Sequence, residues 1–342
     1  MSETLKPLLA TIAQGGAPDP DALEAAFGEI MDGAATPAQA GAFLTATRPL
    51  MTDPATLYAG ARAMRARMTP VAAPANAIDV CGTGGDGAHS LNISTAVAFV
   101  VAGCGVPVAK HGNRAMSSRS GAADVLEALG VRLTADAPTL SRCLAEANVA
   151  FLFAQNHHPA MRHVASARRE LGFRTIFNLL GPLTNPAGVR RQLVGVFAPA
   201  YGAPVAHALA RLGAESAWVV HGAGGLDELS CAGESETFAL AAGSVEHRSV
   251  GPAAAGLPVT AVDAIRGGSA ADNAAALRDL LEGRGANAAY EGFVLLNAAA
   301  ALVVAGVTTT LADGVKRARA SLRDGAARDA LDQLIAITRG AP

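Results

Sequence analysis

The chain has 342 residues, of which 51% are hydrophobic and only 16% charged, a composition typical of a compact globular protein with a sizeable core. Lys and Arg number 27 against 29 Asp and Glu, and this near balance argues against nucleic-acid binding, which usually needs a basic excess. Four widely spaced cysteines without a CxxC pair argue against zinc and disulfides, and the lack of a signal-peptide pattern or membrane-spanning run predicts a cytoplasmic protein.

Residues 1–72 predict a small domain made of helices alone. Four helical segments follow one another, and three of them open with Asp or Thr before Pro, at Asp19, Thr36 and Asp53, which is a typical helix start. A linker rich in Ala and Pro follows at residues 71–77. We expect part of the helical stretch 157–190 to return to this domain.

Residues 73–342 predict a larger α/β domain with a mostly parallel central sheet and flanking helices. Apolar runs such as "AIDVCG", "VPVAKHG", "VAFLFA", "QLVGVFA" and "SAWVVHG" fit buried strands, and helical patterns separate them. The C-terminal third shows two long helices rich in Ala and Leu, "ADNAAALRDLLEG" and "FVLLNAAAALVVAG".

The glycine-rich turn "CGTGGDG", residues 81–87, lies between a strand and a helix predicted to begin near Ser94. Glycines let backbone N–H groups converge on an anion, and a following helix adds its N-terminal amides. The spacing fits neither the Rossmann fingerprint nor the P-loop. A turn that merely packs is the alternative interpretation.

A second donor-rich stretch, "AKHGNRAMSSRSG" at residues 109–121, also follows a predicted strand. Ligands of open α/β sheets bind at strand ends, so the two stretches could meet over one polyanion. The alternative is a solvated basic loop, which explains poorly why Asn, His and three serines accompany the cations.

Charged side chains elsewhere suggest a metal and a carboxylate ligand. Asp227 and Glu228 follow a glycine run, and carboxylate oxygens suit Mg²⁺, although a surface acid pair is the alternative. Arg168 could grip a substrate carboxylate with two hydrogen bonds. The adjacent His157 and His158 lack a third spaced ligand, so packing or capping is expected of them.

Together these stretches resemble the anthranilate phosphoribosyltransferase family of tryptophan biosynthesis. The runs "GTGGD", "NIST", "KHGNR-x-x-SS-x-SG-x-ADVLEALG", "HPAM", "RTIFNLLGPLTNP" and "GLDELS" stand in order, and the likeness covers nearly the whole chain. The resemblance implies a fold of the nucleoside phosphorylase and phosphoribosyltransferase type. It also implies transfer of the phosphoribosyl group of phosphoribosyl pyrophosphate (PRPP) to the anthranilate nitrogen, a homodimer formed through the helical domain, and a possible association with anthranilate synthase.

The resemblance also implies roles for particular residues. PRPP would be bound by Gly82, Gly85, Asp86, Ser90, Asn92, Ile93, Ser94, Thr95, Lys110, His111, Gly112, Asn113, Arg114, Ala115, Met116, Ser117, Ser118 and Ala122. Anthranilate would contact Gly82, Asn113 and Arg168, and Mg²⁺, two ions per subunit, would be held by Ser94, Asp227 and Glu228. No catalytic base is expected, because the aromatic amine is neutral at pH 7. Small departures from the family pattern stand at Ser90, Leu91, Met116, Arg119 and Ala122, where only Ala122 would lose a hydroxyl contact.

Two other functions fit the same fold. A pyrimidine nucleoside phosphorylase would cleave nucleosides with phosphate, but it lacks "KHGNR" followed by "SSxSG". A nucleic-acid-binding relative without catalysis would lack the acid pair and would not suit a net charge of −2.

Overall fold

The computed structural model describes residues 4–115, 119–284 and 287–340. Its helices are α1 Leu5–Ala13, α2 Pro20–Met31, α3 Pro37–Ala46, α4 Pro54–Arg65, α5 Ile93–Gly103, α6 Ala122–Ala128, α7 Ala137–Glu146, α8 Ala154–His157, α9 Arg162–Leu171, α10 Phe177–Leu180, α11 Gly202–Arg211, α12 Ala270–Leu281, α13 Ala288–Val304, α14 Leu311–Arg323 and α15 Ala326–Thr338. Its strands are β1 Ile78–Gly82, β2 Val108–Gly112, β3 Val149–Phe153, β4 Arg191–Gly195, β5 Ser216–His221, β6 Ser235–Ala241 and β7 Ser244–Val250.

The N-terminal helices begin where the sequence predicted. The Asp19 carboxylate accepts hydrogen bonds from the first amides of α2, Thr36 forms a capping box with Gln39 at α3, and Asp53 caps α4. The segment α9 packs against α2 and α3, and α10 packs against α4, so helices from residues 157–190 join this bundle. The boundary at residues 72 and 73 stays a prediction.

The larger part of the chain is an α/β domain around one mixed sheet with strand order β3-β2-β1-β4-β5-β6-β7. The first five strands in this order are parallel, as predicted, while β6 and β7 run antiparallel. This hairpin was not predicted, because β7 lies at the sheet edge and most of its side chains are polar and exposed. The C-terminal third likewise contains α14 and α15 in addition to the two predicted helices.

Two apolar layers enclose the sheet. Helices α5, α13 and α15 cover one face, where Phe99, Phe293 and Leu331 are buried. The other face shares its core with α11 and the helical bundle, in which Phe27 packs edge-on against Phe43 with ring centroids 4.9 Å apart. Among the described helices, none combines the length and apolar character needed to cross a membrane.

Candidate active site at the carboxyl ends of the strands

The order of the parallel strands reverses between β1 and β4, and ligands of open α/β sheets bind at such a point. Each of these strands ends in a glycine, and the two glycines, Gly82 and Gly195, are paired across the sheet. A Cβ atom on Gly82 would collide with the carboxylate of Asp227, and one on Gly195 would collide with the Asp227 carbonyl. The two glycines therefore let the acid pair lie directly over the strand ends. Gly195 was not predicted from the sequence, since no motif around it signals this packing.

The acid pair binds backbone amides on both sides of the turn that follows β1. Asp227 Oδ2 accepts a hydrogen bond from Gly84 N at 2.7 Å, and Glu228 Oε1 accepts one from Ser94 N at 3.1 Å. Both acids are half-buried, so the interpretation as a surface pair is wrong. The expected anion cradle also needs correction, because two of its N–H groups already donate to carboxylates.

A third carboxylate adds to the negative charge of the site. Asp86 Oδ2 accepts a hydrogen bond from Asp227 N at 3.4 Å. Burial, followed by repulsion from Asp86, raises the pKa of Asp227 to about 7. Burial, followed by repulsion from Asp227, raises the pKa of Glu228 to about 8. A cluster of acids that is costly to ionise is a site where a cation would be stabilised.

The donor set fits magnesium rather than an ion caged by protein alone. In the described part of the chain, no three His, Cys, Asp or Glu side chains are arranged to hold a metal ion. Mg²⁺ usually binds through one or two carboxylates together with substrate phosphates and water. Asp227, Glu228 and the Ser94 hydroxyl are hard oxygen groups of that kind, so the residues fit this ion.

Lys110 lies beneath Ser94 rather than in an open loop. Its buried ammonium group donates to Val80 O at 2.7 Å and to Ser94 Oγ at 3.1 Å. Its charge favours ionisation of both Glu228 and the buried Asp79. Lys110 therefore orients a proposed metal ligand and partly offsets the acids around it.

The basic stretch at residues 109–121 is tied mainly to neighbouring acids. Arg114 forms ion pairs with Asp124 at 2.9 Å and with Glu127 at 2.8 Å. Asp124 Oδ2 also accepts hydrogen bonds from Ala115 N at 3.1 Å and from Gly121 N at 2.9 Å. The sequence suggested that the cationic side chains of this stretch are free to bind an anion. This is wrong for Lys110 and Arg114, since both have protein partners. Of the predicted PRPP residues, Met116, Ser117 and Ser118 lie outside the described residues.

The remaining residues predicted to bind PRPP fall on connected stretches. Parallel pairing of β1 with β2 brings the turn after Gly82 beside the segment that follows Gly112. The segment from Ser90 to Thr95 includes the first turn of α5, and Ala122 is the first residue of α6. The described parts of the two predicted stretches therefore lie next to each other at the carboxyl edge of the sheet, and their contacts with PRPP stay a prediction.

Arg168 lies in the last turn of α9 and is half-buried. Its guanidinium group lies over the ring of Phe177, 5.8 Å from the centroid, and donates to Asn178 Oδ1 at 3.5 Å. Burial lowers its pKa. A long hydrogen bond of this kind leaves the guanidinium fork available for a planar carboxylate.

Arg174, which the sequence analysis did not single out, joins this region to the glycine turn. It donates a hydrogen bond to Gly85 O, and its guanidinium group lies 4.2 Å from the centroid of the Phe197 ring. Only its place three residues before Phe177 in the quoted run "RTIFNLLGPLTNP" could have drawn attention to it.

His157 and His158 are buried, as expected of packing residues, and His111, for which a PRPP contact was predicted, is buried as well. His157 Nδ1 hydrogen-bonds to Thr69 O at 2.9 Å, and His111 Nδ1 hydrogen-bonds to Gly181 O at 3.0 Å. Burial lowers the pKa of His111 to about 3 and that of His158 to about 4, so both rings are neutral at pH 7.

Comparisons with known proteins agree with this architecture. Residues 6–68 match the helical bundle domain of the glycosyl transferase family, and residues 74–328 match its a/b domain. The anthranilate phosphoribosyltransferase of Rhizobium meliloti (strain 1021) is 52% identical over 98% of this chain and 99% of the relative. The crystal structure of the Thermus thermophilus enzyme is 42% identical with a TM-score of 0.91, covering 97% of this chain and 99% of that one. The Saccharomyces cerevisiae enzyme in complex with PRPP and Mg is 27% identical with a TM-score of 0.90, covering 99% of each chain. The chain therefore belongs to the anthranilate phosphoribosyltransferase family.

Proposed function

We infer that this protein transfers the 5-phosphoribosyl group of PRPP to the amino nitrogen of anthranilate, giving N-(5-phosphoribosyl)anthranilate and pyrophosphate in tryptophan biosynthesis. The observation that carries this inference is the acid pair over Gly82 and Gly195, joined by hydrogen bonds to both sides of the glycine turn. Neither a nucleoside phosphorylase nor a nucleic-acid binder is favoured by any feature of the described residues.

PRPP lies between the turn after β1 and the stretch after β2. Gly82, Gly85, Asp86, Ser90, Asn92, Ile93, Ser94 and Thr95 form one side, and residues 110–118 with Ala122 form the other. Backbone amides and the Asn, Ser and Thr side chains donate to phosphate oxygens, which are acceptors only. Lys110 acts from beneath, through Ser94, rather than by direct contact.

Ser94, Asp227 and Glu228 would hold magnesium, two ions per subunit. When bound, the metal would offset the charge that develops on departing pyrophosphate. The acids also lie where a positively charged ribose would be stabilised in the transition state. Binding a dication favours the ionised acids, so the pKa values of Asp227 and Glu228 fall when the site is loaded.

Anthranilate is held by Arg168, Asn113 and Gly82. The half-buried guanidinium group of Arg168 binds the carboxylate, and this places the neutral amine toward the anomeric carbon. The nitrogen attacks with its free electron pair as the bond from the anomeric carbon to pyrophosphate breaks, and the proton released from the nitrogen passes to water. The chain therefore supplies position rather than a base. No side chain is assigned a proton-abstracting role.

The quaternary and cellular properties follow from the family resemblance. The protein acts in the cytoplasm as a homodimer formed through the helical domain of residues 1–72, and the α/β domain of residues 73–342 binds the substrates. Association with anthranilate synthase would deliver anthranilate directly. Sedimentation of the purified protein, alone and mixed with that synthase, tests both assemblies.

The direct test of the activity uses the fluorescence of anthranilate. Purified protein with PRPP and Mg²⁺ is expected to consume the signal, whereas thymidine with inorganic phosphate is expected to give no thymine. Phosphorolysis of thymidine together with stable anthranilate fluorescence would overturn the inference.

A further inference from the structure

We propose that Asn273 is a positioning residue that fixes the side-chain amide of Asn92 with its NH₂ end free to donate to a phosphate oxygen. This inference rests on the proposed function, since it assigns a polarity to one residue of the PRPP site. Asn273 lies on α12, within the helical run "ADNAAALRDLLEG" but in none of the stretches that carry the family resemblance, and it is 2% exposed.

Hydrogen bonds determine which end of each amide is which. Gly268 N can only donate, and it donates to Asn273 Oδ1 at 2.7 Å. The opposite end of that amide, Nδ2, therefore donates to Asn92 Oδ1, at 2.8 Å. With its oxygen occupied, Asn92 has Nδ2 as its free end, which has no acceptor among the described residues.

The surrounding backbone holds this relay in place. Leu91 N donates to Ile265 O at 2.8 Å, and Gly267 N donates to His89 O at 2.7 Å, so the segment before Asn92 pairs with the loop before α12. A Cβ atom on Gly267 would lie 2.7 Å from Ser90 O and 3.0 Å from Asn273 Nδ2. Only glycine fits this close approach.

A second contact fixes the main chain of Asn92. The hydroxyl of Tyr290, a buried residue of α13, donates to Asn92 O at 3.1 Å. Both the backbone and the side chain of Asn92 are therefore held from the C-terminal third of the molecule. The loop and the amide relay form one rigid support under the start of α5.

The polarity matters because PRPP offers phosphate oxygens, which only accept hydrogen bonds at neutral pH. An Asn92 amide that presents Nδ2 attracts them, and one that presents Oδ1 repels them. In solution the two orientations are nearly equal in energy, so only contacts within the protein can favour one of them. Asn273 favours the orientation with Nδ2 free, because it accepts from Gly268 and donates to Asn92.

The test is Asn273→Asp, which keeps the size and shape of the side chain. One carboxylate oxygen still accepts from Gly268 N, but the other cannot donate to Asn92 Oδ1. Asn92 then turns over and presents its oxygen to the phosphates. We expect the KM for PRPP to rise about tenfold, the scale of one charge-assisted hydrogen bond, while the KM for anthranilate stays within about twofold.

Recovery of the KM for PRPP at low pH would show that Asn273→Asp acts through the orientation of the Asn92 amide and not through general damage to the protein. The protonated Asp regains an O–H donor for Asn92 Oδ1, so the ratio of variant to wild-type KM for PRPP should fall toward one as the pH decreases. Burial favours the neutral acid, so recovery should begin above the ordinary Asp pKa of about 4. Asp227 and Glu228 titrate in both proteins, so their effect on the KM cancels when the ratio is taken at each pH.

Asn287→Asp is the matched control. Asn287 Nδ2 donates to Ala264 O at 2.7 Å, and its Oδ1 caps α13, so the same substitution also removes one amide donor next to the same loop. It does not contact Asn92, and its KM for PRPP should stay within about twofold of wild type. An equal rise in both variants, or a rise in Asn273→Asp that ignores pH, would assign Asn273 a structural role only and overturn the proposal.

Two further results distinguish failure of the positioning role from failure of the proposed activity. If Asn273→Asp does not fold, Asn92→Asp presents a carboxylate oxygen in place of Nδ2, and unchanged PRPP affinity in that variant overturns the proposed polarity. If wild-type protein fails to consume anthranilate, the proposed function fails instead. Wild-type turnover with an unaltered KM for PRPP in Asn273→Asp rejects the positioning role alone.

Discussion

The two donor-rich segments at the carboxyl edge of the sheet are held in different ways. The turn after β1 is fixed by a distant part of the chain, since Gly84 donates to Asp227, 143 residues away. The stretch after β2 is fixed locally, since Ala115 donates to Asp124, nine residues away. The first segment is therefore set by the completed fold, and the second by one short helix. We expect changes in the first to affect turnover and changes in the second to tune affinity.

Changing the acids over the turn after β1 should reduce activity more than any other substitution. Asp227→Asn combined with Glu228→Gln keeps an acceptor oxygen for each backbone amide but removes both charges. Turnover should fall by roughly three orders of magnitude, because the charge on the leaving pyrophosphate is no longer offset. Steady-state rates at ordinary magnesium, with circular dichroism to check the fold, measure this. Activity within about tenfold of wild type would contradict the metal role.

Arg168 is proposed to bind the carboxylate of anthranilate and lies outside both segments. Arg168→Ala should raise the KM for anthranilate by roughly 30-fold or more, the scale of a charge-assisted pair, and the KM for PRPP far less. Arg169→Ala is the matched control, because Arg169 is adjacent and exposed, and it should change neither KM. Equal weakening of both substrates in Arg168→Ala would reject the assignment.

The raised pKa values of the acid pair predict how stability depends on pH. Unfolded carboxyls titrate near pH 4, whereas Asp227 and Glu228 hold their protons to about 7 and about 8. Between these limits the folded protein binds more protons, so without magnesium the free energy of unfolding should fall as the pH rises from 5 to 8. Most of this fall should come from the acid pair, since both carboxyls lose their protons within this pH range.

Urea unfolding of wild type and of the double amide variant isolates this contribution. The variant should lose the descending slope, because amides do not titrate, while buried His111 contributes equally to both proteins. Magnesium should flatten the wild-type slope by favouring the ionised acids. Parallel pH curves for the two proteins would show that the acids are not destabilising when charged.

The smallest effect is expected in the locally held segment. Asp124→Asn can keep its oxygen on the amides of Ala115 and Gly121 only by turning its NH₂ group toward Arg114. We expect the KM for PRPP to rise about threefold, with faster hydrogen exchange at the two amides. Glu127→Gln is the control, since Glu127 pairs with Arg114 without touching the loop backbone. Slower hydrogen exchange at these amides in Asp124→Asn, or a larger rise in the KM for PRPP in Glu127→Gln, would contradict the roles given to the two acids.

Local sequence patterns predicted most of the fold. Asp19, Thr36 and Asp53 each mark a helix start because capping is a contact between residues close in the chain. The buried parallel strands also stand out as apolar runs. The β6–β7 hairpin did not, because an exposed edge strand needs no such run and its pairing is decided by the neighbouring β5.

The site was predictable as a set of motifs but not as a set of contacts. The partners of Asp227 and Glu228, the space left by Gly195, and the relay from Asn273 all join residues far apart in sequence. Lys110 looked like a free phosphate ligand because its charge is visible in sequence and its burial is not. Such contacts depend on how the strands and loops meet in three dimensions.

The acids held over the turn after β1 are proposed to form the cation site on which PRPP binds. Calorimetric titration of PRPP at several magnesium concentrations, with wild type and with Asp227→Asn/Glu228→Gln, tests this proposal. PRPP affinity should rise with magnesium in wild type and stay nearly constant in the variant. The same magnesium dependence in both proteins would contradict a metal role for these acids.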